Sequence, residues 1–189
     1  KTLLRHPGRL TSDFLAGRRR TYTPPLRLYL VVSISFFVIV AWLASSGILL
    51  EPGQDPTFDA AVQAQFLSDD LPRLMFVLLP VFALLMKGVY RQHLYFNHLI
   101  FAIHLHTIGY LVLALMLPIE DVANHFVALA SAQAVLLAYF LSYFVIAVHR
   151  VYLSSWPIAA LKSIVVLFGY MIVVSIAIEN TSTFLIIAD

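Results

Sequence analysis

Five stretches of the chain are almost wholly apolar, and polar or charged residues are confined to the segments between them. The stretches are Leu26 to Leu50, Leu71 to Tyr90, Tyr95 to Leu117, Phe126 to Val148 and Pro157 to Ile178. Each is long enough for a membrane-spanning helix, which needs about 20 mainly apolar residues. Pro72 and Pro157 fall in the first turn of the second and fifth stretches, where a missing backbone N–H costs nothing. Asp69 and Asp70 precede the second, and Pro118-Ile119-Glu120-Asp121 separates the third from the fourth; both read as helix boundaries.

Two further segments carry helical patterns outside the spans. In the N-terminal segment, Leu3, Leu4, Leu10, Phe14 and Leu15 alternate with Arg5, Arg9 and Asp13. Thr11 or Ser12 is a candidate N-cap and Gly17 a terminator, which predicts an amphipathic helix in the cytoplasmic interface. Between the first two spans, Phe58, Val62 and Phe66 recur every four residues along Pro56 to Leu67, predicting a short outer amphipathic helix with one apolar face. The tail Phe184-Leu185-Ile186-Ile187 is apolar enough that docking is expected of it. The expected fold is all-α: a polytopic membrane protein of five transmembrane helices, an N-terminal interfacial helix and a short outer amphipathic helix. Residues 1–25 form the interfacial segment and 26–189 the transmembrane domain, with an outer loop at 51–70.

Charge supports the same count independently. With the N-terminus inside, segments 1–27, 87–94 and 149–162 are cytoplasmic and hold every Lys and Arg except Arg73, which is eleven of the 12 basic residues. Nine of the 10 acids lie outside, Asp13 being the exception. That asymmetry predicts an N-terminus in and a C-terminus out. Composition agrees: 61% of the 189 residues are hydrophobic and 12% charged, against about 25% charged in a soluble domain, so a soluble globular protein is excluded.

The chemistry on offer is narrow. With no cysteine, disulfides, thiolate metal sites and thiol nucleophiles are excluded. The spans carry no Asp or Glu in their interiors, and GxSxG, HExxH, Walker and dinucleotide motifs are absent. Polar residues inside the membrane are functional-site candidates by default, and here they concentrate in the third span, with His98, His104 and His106. At about 100° per residue, His93, Asn97, His104 and Thr107 share one face while His98 and His106 point elsewhere. A bis-His haem lacks a second histidine at matching depth, since His125 and His149 flank the fourth span. A metal needs three or four convergent ligands, whereas His104 and His106 diverge. Hydrogen bonding to Ser, Tyr or backbone of adjacent spans is the simplest use of these histidines. No cofactor is expected; contact of a single His with a pigment or haem is the reading left open.

On the cytoplasmic side, Arg18, Arg19, Arg20 and Arg27 abut the first span, where each basic residue is attracted to an anionic leaflet by about 1 kcal/mol. They are candidate contacts to anionic lipid or to a partner, as Phe58, Val62 and Phe66 are outside. Nucleic acid is not expected as a partner, because the basic cluster borders a membrane span. In the fourth span, Ala134, Ala138 and Ser142 lie four residues apart, a spacing that lets helices approach closely.

Gly17-Arg18-Arg19-Arg20-Thr21-Tyr22-Thr23-Pro24-Pro25-Leu26-Arg27-Leu28-Tyr29-Leu30, with Arg5-His6-Pro7-Gly8 before it and His98-Leu99-Ile100-Phe101-Ala102-Ile103-His104-Leu105-His106 after it, resembles an uncharacterised bacterial inner-membrane family known only as a domain of unknown function. Members commonly carry an N-terminal zinc ribbon of paired cysteines; this cysteine-free chain resembles the membrane part alone, over roughly residues 1–110. The resemblance implies no activity. The function expected from the residues is that of a non-enzymatic accessory, assembly or structural subunit of a larger bacterial membrane complex, an energy-converting one being a plausible host, with other membrane-protein subunits as partners. The alternative is a small-molecule or lipid transporter, or a lipid-active membrane enzyme, using the histidine face of the third span.

Overall fold

A computed structural model describes residues 2–18, 23–46, 65–123 and 127–188, apart from the side chains at 117–123, 127–130 and 181–188. All regular structure among the described residues is helical. Two short helices, α1 (Thr2–Arg5) and α2 (Arg9–Leu15), precede five long ones: α3 (Pro25–Ser45), α4 (Leu71–Val89), α5 (Tyr95–Ala123), α6 (Val127–Tyr152) and α7 (Trp156–Ala188). All five long helices, α4 together with the turn before it, are long and apolar enough to cross a membrane, so the chain is a multi-pass membrane protein.

Local chemistry explains the start and end of α2 and corrects one expected cap. Thr11 and Ser12 lie inside the helix, because the chain turns earlier, at Gly8, whose φ of 73° only glycine adopts freely and whose carbonyl accepts the Ser12 N–H at 2.9 Å. The end is as the sequence predicts. Gly17 takes φ 84°, with Gly17 N–H donating to Phe14 O and Arg18 N–H to Asp13 O, the paired bonds of a Schellman motif.

Several expected boundaries dissolve into longer helices. Asp69-Asp70 does not open the second span: residues 66–70 form a π-turn, Phe66–Asp70, that runs directly into α4. Proline at 72 has no N–H and its ring crowds the carbonyl four residues back; the wider turn, with Leu71 N–H reaching Phe66 O, absorbs that misfit. Pro118 likewise does not stop α5, which continues to Ala123, and α7 continues through the apolar tail to Ala188. The rest of the predicted outer helix, with Phe58 and Val62, lies outside the described residues. So do the contacts of the tail side chains.

α5 is the central post. It packs against α3, α4 and α6 and touches α2, while α7 leans on α4 and α6. The share of the spanning stretch buried within the chain is 56% for α5 and 11% for α7. With lipid tails as apolar as the core, tight ring packing and hydrogen bonds carry helix association. Tyr110 of α5 sits among Tyr29, Phe36 and Phe37 of α3 at centroid distances of 5.9, 5.2 and 5.4 Å. Phe82 of α4 bridges His106 of α5 and Tyr170 of α7, at 5.3 and 5.0 Å. At the C-terminal ends of α4 and α6, Tyr90 stacks on Tyr152 at 4.2 Å and Lys162 Nζ lies 4.0 Å over the Tyr90 ring. Lys87 donates to Arg91 O and His93 O in the loop after α4, and Lys162 to Val89 O, the last carbonyl of α4.

Candidate functional site

His98, His104 and His106 project from α5 in three directions, and each meets a hydroxyl from a different element. His98 Nδ1 is 2.8 Å from the Tyr152 hydroxyl at the end of α6. His104 Nδ1 is 2.9 Å from the Thr11 hydroxyl of α2. His106 has both nitrogens engaged: Nδ1 with Ala102 O at 2.8 Å and Nε2 with the Tyr170 hydroxyl of α7 at 2.8 Å. A carbonyl only accepts, so Nδ1 of His106 carries a proton and, in the neutral ring, Nε2 accepts from Tyr170. That arrangement offers no free lone pair to a metal or pigment. All three rings are buried, and no group of three or more candidate metal ligands occurs among the described residues.

The Thr11 contact exists because the N-terminal segment does not lie flat beneath the bundle. Residues 3–8 follow the side of α6: Tyr143 donates to Leu3 O at 2.9 Å, Tyr139 to Leu4 O at 2.7 Å, and Arg150 to Pro7 O. Tyr139 is about 20 Å along the helix from Tyr152 at 1.5 Å per residue, so the segment reaches well into the helical layer. Carbonyls of so short a helix lack internal partners and need donors wherever water is excluded. Tyr139, Tyr143 and Arg150 fall within about 40° of one another around α6 at 100° per residue, forming a single donor ladder for those carbonyls. Gly8 closes on the same face, where an added Cβ would stand 2.9 Å from Ala147 O.

The arginine cluster divides. Arg18 is ion-paired with Asp13, whose side chain is 10% exposed, and Arg9 lies 3.8 Å from the same carboxylate. Arg18 therefore has a carboxylate partner within its own chain. Arg27 is exposed in the first turn of α3, and Arg19 and Arg20 lie outside the described residues. Phe66 is half-buried in the π-turn. Ala134, Ala138 and Ser142 all face outward from the bundle, exposed.

Thr11, Asp13, Tyr139, Tyr143 and Arg150 escaped the sequence reading as functional candidates. The signal available was the common phase of 139, 143 and 150 on an otherwise apolar helix, which marks donors waiting for acceptors.

An apolar cleft of about 250 Å³ lies between α4, α5, α6 and α7. Gly109 is part of its lining, Phe140 and Phe144 line it from α6, Met171 and Val174 from α7, and the hydrogen-bonded pair His106 and Tyr170 also borders it, in a wall that is almost wholly apolar.

The docked segment and the first half of α3 coincide with the one stretch that a known family recognises. Residues 1–37 match a family described as proteins of unknown function, DUF3667. The match includes Gly8, Thr11, Asp13 and Arg18, and stops short of the histidines of α5. Comparison with curated proteins and with solved structures gives no match.

Proposed function

We propose that this chain is a non-enzymatic accessory, assembly or structural subunit of a larger membrane complex of the bacterial inner membrane, with its N-terminus cytoplasmic and its C-terminus periplasmic. The observation that carries the reading is the outward exposure of Ala134, Ala138 and Ser142. This small-residue face permits close helix approach, yet none of the described helices covers it. The internal use of the histidines supports the same reading, since each is engaged in tying α5 to a neighbour or to its own backbone. Orientation rests on eleven of 12 basic residues falling on one side. Energy-converting complexes are one class of host.

The absence of native cysteine makes a direct test simple. Ala138→Cys, treated with a short bifunctional thiol and amine reagent in native membranes, is expected to give one dominant adduct with a different membrane protein. Gentle detergent extraction and native mass analysis should then show the unmodified chain in the same company. A chain that crosslinks to nothing and always migrates alone overturns the proposal.

The apolar cleft favours a second reading, in which the chain binds or moves a small apolar molecule or lipid along the His106 and Tyr170 wall. Unchanged substrate or lipid handling in a His104→Ala, His106→Ala variant that still inserts would remove its basis.

A further inference from the structure

We propose that His104, Thr11 and Tyr143, closed over by the Gly8 turn, form an internal binding site for one water molecule where the N-terminal segment meets α5 and α6. His104 is 3% exposed, and while its Nδ1 meets Thr11, its Nε2 is buried with no hydrogen-bond partner among the described residues. Beside it is a cavity of about 10 Å³ whose lining includes Gly8, Thr11, His104, Tyr143 and Ala147. A buried water needs about 10–15 Å³ and two to four polar partners. The space therefore admits one such molecule and nothing larger.

The chemistry of the wall selects water over a cation. One imidazole and two hydroxyls, with no carboxylate among them, are too few and too neutral for a metal. Water also suits either tautomer: it donates to a bare Nε2 if Thr11 accepts from Nδ1–H, and accepts from Nε2–H if Thr11 donates to Nδ1. Tyr143 spends its proton on Leu3 O and keeps lone pairs for a bridging molecule. Gly8 is what seals the site, since any Cβ there would press on the Ala147 backbone at 2.9 and 3.0 Å. A bound water then joins the N-terminal segment, α5 and α6 through one hydrogen-bonded node.

Histidine-selective ¹⁵N labelling of the full chain in lipid bilayers tests this, with magnetisation transferred from water to the imidazole nitrogens. His106 is the internal control, because protein groups hold both its nitrogens. His104 is assigned by the signal lost in His104→Gln, or by the signal that shifts in Thr11→Val if the first variant does not fold. Transfer to His104 Nε2 several-fold stronger than to His106 is expected; a His104 as dry as His106 overturns the site. A crystal structure of the intact chain fine enough to show ordered solvent should place one density peak within hydrogen-bond reach of Nε2. A protein atom in that position, or no density, would equally refute it.

Discussion

The hydroxyl of Thr11 and Nδ1 of His104 lie 2.9 Å apart across a sequence separation of 93 residues. This bond joins the second short helix, α2, to the centre of the most buried span. Thr11→Val keeps the shape and removes the hydroxyl, leaving the imidazole nitrogen unpaired at an expected cost of about 1–3 kcal/mol. His104→Phe removes the other partner. In a double-mutant cycle read by thermal unfolding in mild detergent, the two changes should couple by about 1 kcal/mol; simple additivity would mean that the bond does not form.

Gly8 and Gly17 both have positive φ, but only Gly8 lacks room for a side chain. Gly17→Ala should therefore cost about 1–2 kcal/mol of backbone strain and leave the segment seated. Gly8→Ala adds a clash with Ala147 and should release residues 2–16. Limited proteolysis and labelling of a single cysteine placed at Leu10, which is buried, will separate the two outcomes: fast reaction in the Gly8 variant and protection in the Gly17 variant.

Asp13 and Arg18 form an unequal pair, since the carboxylate side chain is 10% exposed and the guanidinium side chain 66%. Removing the exposed cation takes from a buried charge the nearer of its two arginine partners, leaving Arg9 at 3.8 Å, which costs more than losing a surface ion pair. Arg18→Ala should thus destabilise the docked segment more than Asp13→Asn does, and adding Asp13→Asn to Arg18→Ala should recover part of the loss. Arg18→Lys keeps the charge without the planar fork and should fall between wild type and Arg18→Ala in the same proteolysis assay. Equal stability for wild type and all four variants would show that Arg18 serves only the membrane surface.

Reporter fusions after Arg91 and Arg150 should read inside, and fusions after Glu51, Glu120 and Asp189 outside. A C-terminal fusion that reads inside would contradict the orientation drawn from the Lys and Arg distribution.

The five spans were legible because membrane crossing depends on length and apolarity, which runs such as Leu26 to Leu50 display directly. The divergence of His98, His104 and His106 was legible too, since 100° per residue is a property of one helix. Their partners were not: nothing local to Thr11 or Tyr170 encodes a meeting with α5. Boundary signals misled where geometry could absorb them. Pro72 usually marks a helix start, but a π-turn accommodated it within a continuous helix. The Thr11 cap failed because Gly8 could take a left-handed conformation against Ala147, a constraint set by a helix far away in sequence.

The donor ladder on α6 implies an order of biogenesis. Residues 2–18 leave the ribosome well before Tyr139, Tyr143 and Arg150, which hold them and belong to the fourth crossing. At about 5–20 residues per second, translation separates the two by on the order of ten seconds. During that interval the carbonyls of Leu3, Leu4 and Pro7 depend on water or headgroups, and His104 enters the membrane with Thr11 already made but not yet lodged against α6. A segment made early is seated late.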